Sequence, residues 1–264
     1  MKSLYYTLKD AHHWAAFSGD YNPIHFDLNW VQAQGLDQLS VHGMRVLLDA
    51  KQFASKQICH DVAPNNAYIK CVVRLRNPLW NDKTYHLVTR NKAGSVAVLS
   101  AEDQKNSLTC QLSSLNTFDL NDSETMNCLS SDEVAILQSS FAVFSKELYD
   151  WQFIDAVMFQ YLIHDDALLR QENIAAWLPE GTTLKDIFSD YPIVQTHQEI
   201  IFESSLLQKW VPTADPEPIH IGIQPSLVIG DIETGLLICI KTIARYKNKL
   251  VSNSITLKVN AKSK

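Results

Sequence analysis

The chain has 264 residues, 46% of them hydrophobic and 9% aromatic, which is enough for one large core or two small ones. With 20% charged residues, 8 Gly and 9 Pro, it is not a disordered, collagen-like or low-complexity polymer. Its 23 Lys and Arg against 29 Asp and Glu leave a net charge of -6, which excludes an overall attraction to nucleic acid.

The charge is unevenly divided. Residues 1–125 carry 12 basic and 12 acidic side chains, and residues 126–264 carry 11 and 17. Five widely spaced cysteines without a CxxC point to free thiols in a reducing compartment. Met1 to Tyr6 lacks the apolar run of a secretory signal. No stretch approaches the roughly 18 apolar residues of a membrane helix. The expectation is a soluble, cytoplasmic chain with no membrane span.

In chain order, Thr7-Leu8-Lys9-Asp10 reads as a capping box opening a short helix that stops at Ser18-Gly19. Tyr21-Asn22-Pro23 is a turn, because the residue before proline is pushed out of the helical region. Asp27 caps a second short helix ending near Gly35. A longer helix starts near His42-Gly43, with Met44, Leu47, Leu48, Ala54 and Ile58 on one face and Lys51 as the exception. Ala67 to Arg76 alternates with period 2 and reads as a strand, followed by a turn at residues 77–82. Further strands are expected at 83–90, 95–102 and 108–115.

Residues 116–132 are polar and read as a linker, with 121–132 separating a unit at 1–120 from one at 133–264. Glu133 to Leu178 holds neither Gly nor Pro and reads as helical. Four strand-like runs follow at 193–207, 218–229, 235–246 and 250–259. Each half is therefore a long helix followed by a four-strand meander. A separation of about 110 residues between the helices suits two related units. Set edge to edge, their sheets would form one continuous sheet and remove two open edges.

Chemistry concentrates in Phe17-Ser18-Gly19-Asp20-Tyr21-Asn22-Pro23-Ile24-His25-Phe26-Asp27 and in Ser40-Val41-His42-Gly43-Met44. Gly19 permits a sharp bend and Pro23 stiffens it. Asn22 can bond back to the loop. A carboxylate and an imidazole in one pocket form a general acid/base pair, here Asp20 and His25. Gly43, at the start of the long helix, lets a ligand approach free amides and the positive helix end. Taken singly, a Gly-Asp turn or a lone histidine is usually structural; the combination is what points to catalysis.

That combination, Ser18-Gly19-Asp20-x-Asn22-Pro23-Ile24-His25 with His42-Gly43-Met44 seventeen residues after His25, closely resembles the MaoC-like (R)-specific enoyl-CoA hydratase family. The resemblance covers about the first 115 residues, including the Arg76-Asn77-Pro78-Leu79-x-x-Asp82 turn. It implies an α+β double hot-dog fold, in which two antiparallel sheets each wrap a long central helix. It also implies cofactor-independent addition of water to trans-2-enoyl thioesters, or the reverse dehydration of (R)-3-hydroxyacyl thioesters, in fatty acid metabolism. By resemblance Asp20 and His25 are the catalytic pair, and the Gly43 amide meets the thioester oxygen. Losing one such donor typically costs about 3 kcal/mol of barrier. Asn22 shapes the loop, while Ser40 and His42 serve as cap or pocket rim.

Lone units of that family are half this length and dimerise, so the chain would be an internal pseudo-dimer, alone or dimerised again. Residues 126–264 hold no second Gly-Asp-x-Asn-Pro-x-x-His; Gly230-Asp231 and His164-Asp165-Asp166 are its nearest approaches. Fused eukaryotic members carry the motif in the second unit, whereas here it is in the first. Lys70, Arg74, Arg76, Lys83, Arg90 and Lys92 make 61–92 basic. They are either a solvated sheet face or a surface for the phosphates of coenzyme A or an acidic carrier protein, with Arg74 and Arg76 as candidate substrate contacts. No HExxH, cysteine cluster or glycine-rich nucleotide loop occurs, so neither metal nor cofactor is expected. The alternatives are a dehydratase on carrier-protein intermediates of fatty acid or polyketide synthesis, a non-catalytic acyl-thioester-binding protein, and a thioesterase.

Overall fold

The computed structural model describes residues 1–59, 67–118, 126–144, 147–165, 167–170, 175, 187, 193–231 and 235–259. The first half contains β1 (Lys2–Tyr5), α1 (Leu8–Ser18), a 3-10 turn (Pro23–His25), α2 (Leu28–Ala33) and the long α3 (Gly43–Ile58). Strands β2 (Tyr68–Leu75), β3 (Thr84–Thr89), β4 (Ser95–Ser100) and β5 (Asn106–Leu115) follow. The second half contains β6 (Asn127–Leu129), α4 (Ser131–Phe141), α5 (Asp150–His164) and α6 (Ala167–Arg170). It continues with β7 (Ile193–Glu203), β8 (Ile219–Ile223), β9 (Leu227–Asp231), β10 (Gly235–Tyr246) and β11 (Lys249–Val259).

Local signals account for several boundaries. The Asp10 carboxylate accepts from the Thr7 N–H and the Thr7 hydroxyl, both at 2.9 Å, so α1 opens on the expected capping box. Asp27 accepts from the Trp30 N–H at 3.0 Å and opens α2. The expected apolar face of α3 is buried along its whole length.

The strands form one antiparallel sheet in the order β1-β3-β4-β5-β2-β7-β11-β10-β8-β6, with β9 pairing on β10 beyond β8. Neither half is the plain meander expected. In both, the first strand after the long helix pairs with the last, β2 with β5 and β7 with β11. That leaves β2 and β7 at the inner edges, where they pair from Tyr68↔Glu203 to Arg74↔His197. Joining them removes two open edges. Each half also begins with a short strand on its outer edge, β1 on β3 and β6 on β8. The two halves thus repeat one order of elements. The architecture is α+β, with a long helix wrapped by antiparallel strands twice over: a double hot-dog.

The second half departs from expectation in several places. The run expected as one strand at 218–229 forms two, β8 and β9, and the run expected at 193–207 leaves β7 after Glu203 for a 3-10 helix at Ser204–Leu207. Of residues 121–132, 121–125 lie outside the described residues, 127–129 form β6, and Ser130 opens α4 in a capping box with Glu133. The helix expected over 133–178 breaks after Phe141 and resumes at Asp150; apart from Ala175, residues 171–178 lie outside the described residues. No Gly or Pro causes the break. Instead, the Trp210 N–H donates to the Leu148 carbonyl at 2.9 Å and the Asp150 N–H to the Gln208 carbonyl at 3.1 Å. Pairing with residues 208–210 overrides local helix propensity.

The halves also share a core. Trp14 and Phe17 of α1 pack on Phe141, Phe144 and Phe159 of the second half, with Phe17 and Phe141 ring centroids 5.3 Å apart. All five cysteines are unpaired. Among the described residues, no helix is long and apolar enough to cross a membrane.

Candidate active site

The site is built on the end of α1. The Gly19 N–H donates to the Ala15 carbonyl at 2.8 Å, and Gly19 takes a left-handed conformation with φ 79°, which ends the helix. Ser18 ties the next residue down: its hydroxyl donates to the Trp14 carbonyl at 2.8 Å and accepts the Asp20 N–H at 3.1 Å. The Asp20 Oδ1 accepts the Asn22 N–H at 3.3 Å, and the Asn22 side-chain oxygen accepts the Ile24 N–H at 3.1 Å. Two successive Asx turns, with Pro23 opening the 3-10 turn, therefore bring Asp20 and His25 back toward each other.

The segment preceding α3 supplies the other wall. Ser40 donates its N–H to the Ile24 carbonyl at 3.1 Å, and Val41 donates to the Leu79 carbonyl at 2.7 Å. The turn at 77–82 thus holds residues 39–41 and fixes where α3 begins. His25 Nδ1 lies 2.8 Å from the Ser40 carbonyl and 3.1 Å from the Ser40 hydroxyl. A carbonyl can only accept, so Nδ1 carries the proton and the Nε2 lone pair stays available for chemistry. His42 Nε2 lies 3.0 Å from the Asp20 carbonyl and 4.0 Å from the Asp20 Oδ2. The His25 and His42 rings stack with centroids 3.6 Å apart and planes 27° from parallel. Phe26 packs on both rings from outside.

Asp20, Asn22, His25, Ser40 and His42 are all buried and come together; Gly43 is the first residue of α3 beside them. The amides of a helix's first turn have no intrahelical acceptor, so they are donors for a developing anion. A side chain at Gly43 would press on Leu75, 2.9 Å from where its β-carbon would sit. Arg74 and Arg76 do not join this cluster. Leu75 faces α3, so Arg74 points to the outer sheet face across from His197, and Arg76 follows the strand; both are exposed.

Burial raises the Asp20 pKa, an effect opposed by His25 and by the Asn22 N–H. Burial lowers His25, opposed by Asp20 and by the bond to Ser40. His42 is pushed well below the usual histidine range, by burial and by neighbouring His25. Shifts in these directions bring the affinities of carboxylate and imidazole closer together, so a proton can pass between them at little cost.

A single ligand atom from each of Asp20, His25 and His42 lies within 4.8 Å of the other two. Stacked rings nevertheless keep their lone pairs in two nearly parallel planes that do not converge on one point between them, and His42 Nε2 is already committed to a carbonyl. This trio does not fit chelation of one ion.

The sequence reading gives His42 as a cap or pocket rim and ties nothing to His164. The structure places His42 at the N-cap of α3 with its ring stacked on His25 in the interior, and it sets the exposed His164 of α5 against Gly19, where a β-carbon would come within 2.2 Å of Cε1. A histidine where Ser, Thr, Asp or Asn would cap a helix was the one signal that could have marked His42.

No family model matches the chain, and no curated protein matches it in sequence. Solved structures do. A protein described as a MaoC-like dehydratase aligns with TM-score 0.50 and 11% identity over 98% of this chain and 95% of its own. A MaoC-domain dehydratase from Chloroflexus aurantiacus J-10-fl, so described, aligns with TM-score 0.50 and 9% identity over 100% and 94%. The likeness is one of fold, which the chain shares with these two structures along nearly its whole length. In this double hot-dog the Asp20–His25 cluster stands at the N-terminus of the first central helix, with the second unit packed along α1.

Proposed function

We propose that this double hot-dog hydrates trans-2-enoyl thioesters, or dehydrates (R)-3-hydroxyacyl thioesters, with one active site per chain. The observation that carries this reading is the buried Asp20–His25 pair beside the first amides of α3. In the hydration direction, Asp20 and His25 Nε2 hold one water. Its oxygen bonds to the β-carbon while His25 accepts its proton. The alkene electrons move toward the α-carbon and the thioester oxygen, which the Gly43 N–H stabilises. A proton returned from the pair to the α-carbon completes the addition, so no external oxidant or reductant enters. The acyl group is linked to coenzyme A.

The test is loss of enoyl absorbance with crotonyl-CoA and longer trans-2-enoyl-CoA esters, comparing wild type with Asp20→Asn. The expected result is (R) product and a fall of about 10²- to 10⁴-fold in kcat for the variant. Turnover restricted to carrier-linked thioesters would move the substrate to a carrier protein. Release of free thiol would mean a thioesterase. Equal rates in wild type and Asp20→Asn would overturn the reading.

A further inference from the structure

The reaction as written gives His42 nothing to do, yet it is the most buried titratable group of the site, 1% exposed. It occupies the N-cap of α3 without making a side-chain capping bond. Its ring is engaged elsewhere. One face stacks on His25, with centroids 3.6 Å apart. The Nε2–H donates to the Asp20 carbonyl at 3.0 Å. Its own backbone runs directly into Gly43.

We propose that His42 is the positioning residue of the site, a single rigid ring that sets the plane of the His25 imidazole and the place of the Asp20 backbone relative to the Gly43 amide. This rests on the hydratase reading and deepens it.

The need for such a part follows from geometry. One water shared by Asp20 and His25 needs heavy-atom distances of about 2.6–3.2 Å to each. Asp20 sits on a loop, and the loop's own turns fix its backbone only locally. The bond from His25 Nδ1 to the Ser40 carbonyl holds one point of that ring but leaves it free to tilt about that bond. The stack removes the tilt, and the bond to the Asp20 carbonyl ties the loop to the same ring. A displacement of about 1 Å at such a site can cost around 10²-fold in rate. Two imidazoles this close cannot both be charged, so burial and the neighbouring ring keep His42 neutral. In the neutral ring the single proton then sits on Nε2, the donor that the Asp20 carbonyl accepts.

Two variants separate the contacts. His42→Phe keeps an aromatic ring against His25 and removes the donor. His42→Asn removes the ring and keeps an N–H donor. Both are expected to lower kcat by about 10- to 100-fold with KM changed less than about threefold. The mobility of the His25 ring is read by NMR relaxation of its ring C–H groups without substrate. A fixed ring is expected in wild type and in His42→Phe, and a mobile one in His42→Asn. Unchanged kcat in both variants with wild type active, or a His25 ring as fixed in His42→Asn as in wild type, overturns the proposal. If wild type turns over no enoyl thioester, the hydratase reading fails on its own. The NMR comparison then still decides whether His42 sets the His25 ring.

Discussion

At the scale of single residues, the site depends on taking ionisable groups out of water. His25 loses hydration on burial, and its pKa falls below the ordinary 6.5 despite the carboxylate beside it. It is therefore neutral, and able to act as a base, at pH 7. Acid protonates it only below its usual midpoint. The carboxylate opposes the shift, so Asp20→Asn should lower the midpoint further. An NMR titration of the His25 ring checks both points; a midpoint at or above 6.5 in wild type, or an upward shift in the variant, contradicts the site's electrostatics. The motif that carries Asp20 and His25 was legible in the sequence because its hydrogen bonds run over two or three residues, as in Asn22 to Asp20 and Ile24 to Asn22. His42 was legible as a cap or pocket rim, but not its contacts with His25 and Asp20, which lie 17 and 22 residues away.

At the scale of elements, α1 matters less for its length than for how it stops. Gly19 combines a left-handed conformation with close contact from His164 of the second half. Gly19→Ala should cost about 1–2 kcal/mol from backbone conformation alone, with the histidine contact adding to it. The double variant Gly19→Ala/His164→Ala should recover only the contact part. Urea denaturation of wild type, both single variants and the double variant measures this. A double variant no more stable than Gly19→Ala would show that the contact contributes nothing. The break between α4 and α5 teaches the complementary lesson. Residues 142–149 contain no Gly or Pro, yet Leu148 to Asp150 pair strand-like with residues 208–210. Propensity within a window cannot reveal a partner some 60 residues downstream.

At the scale of the whole molecule, one buried polar cluster joins the halves. Lys51 of α3 and Asp155 of α5 are fully buried, with Nζ 2.5 Å from Oδ2. Gln198 of β7 accepts from Lys51 at 2.8 Å and donates to Asp155 at 2.8 Å and to Asn253 at 3.1 Å. Asn253 of β11 donates to Asp155 at 3.1 Å. Lys51 was the exception on an otherwise apolar face, and the second half holds its counter-charge. Lys51→Met should destabilise by about 3–5 kcal/mol, because it strands a buried carboxylate. Adding Asp155→Leu should recover most of that loss, since a buried pair replaced by apolar groups is often neutral. Equilibrium denaturation of the single and double variants tests this. A double variant as unstable as the single one would mean that the cluster does more than neutralise Lys51.

By itself, the sequence determined the parts whose causes are local. These are the capping box at Thr7, the αL stop at Gly19, the turn through Asn22-Pro23, the apolar face of α3 and the period-2 strands. Each follows from contacts within a few residues or from a repeating pattern. The tertiary structure alone decided which strands meet, because β2 pairing with both β5 and β7 depends on edges built by distant segments. It alone brought His42 onto His25, His164 onto Gly19 and Asp155 onto Lys51. The first contact forms only when the loop after α1 folds back onto the start of α3, and the other two only when the two halves close on one core, so none of them is set by a local repeating pattern.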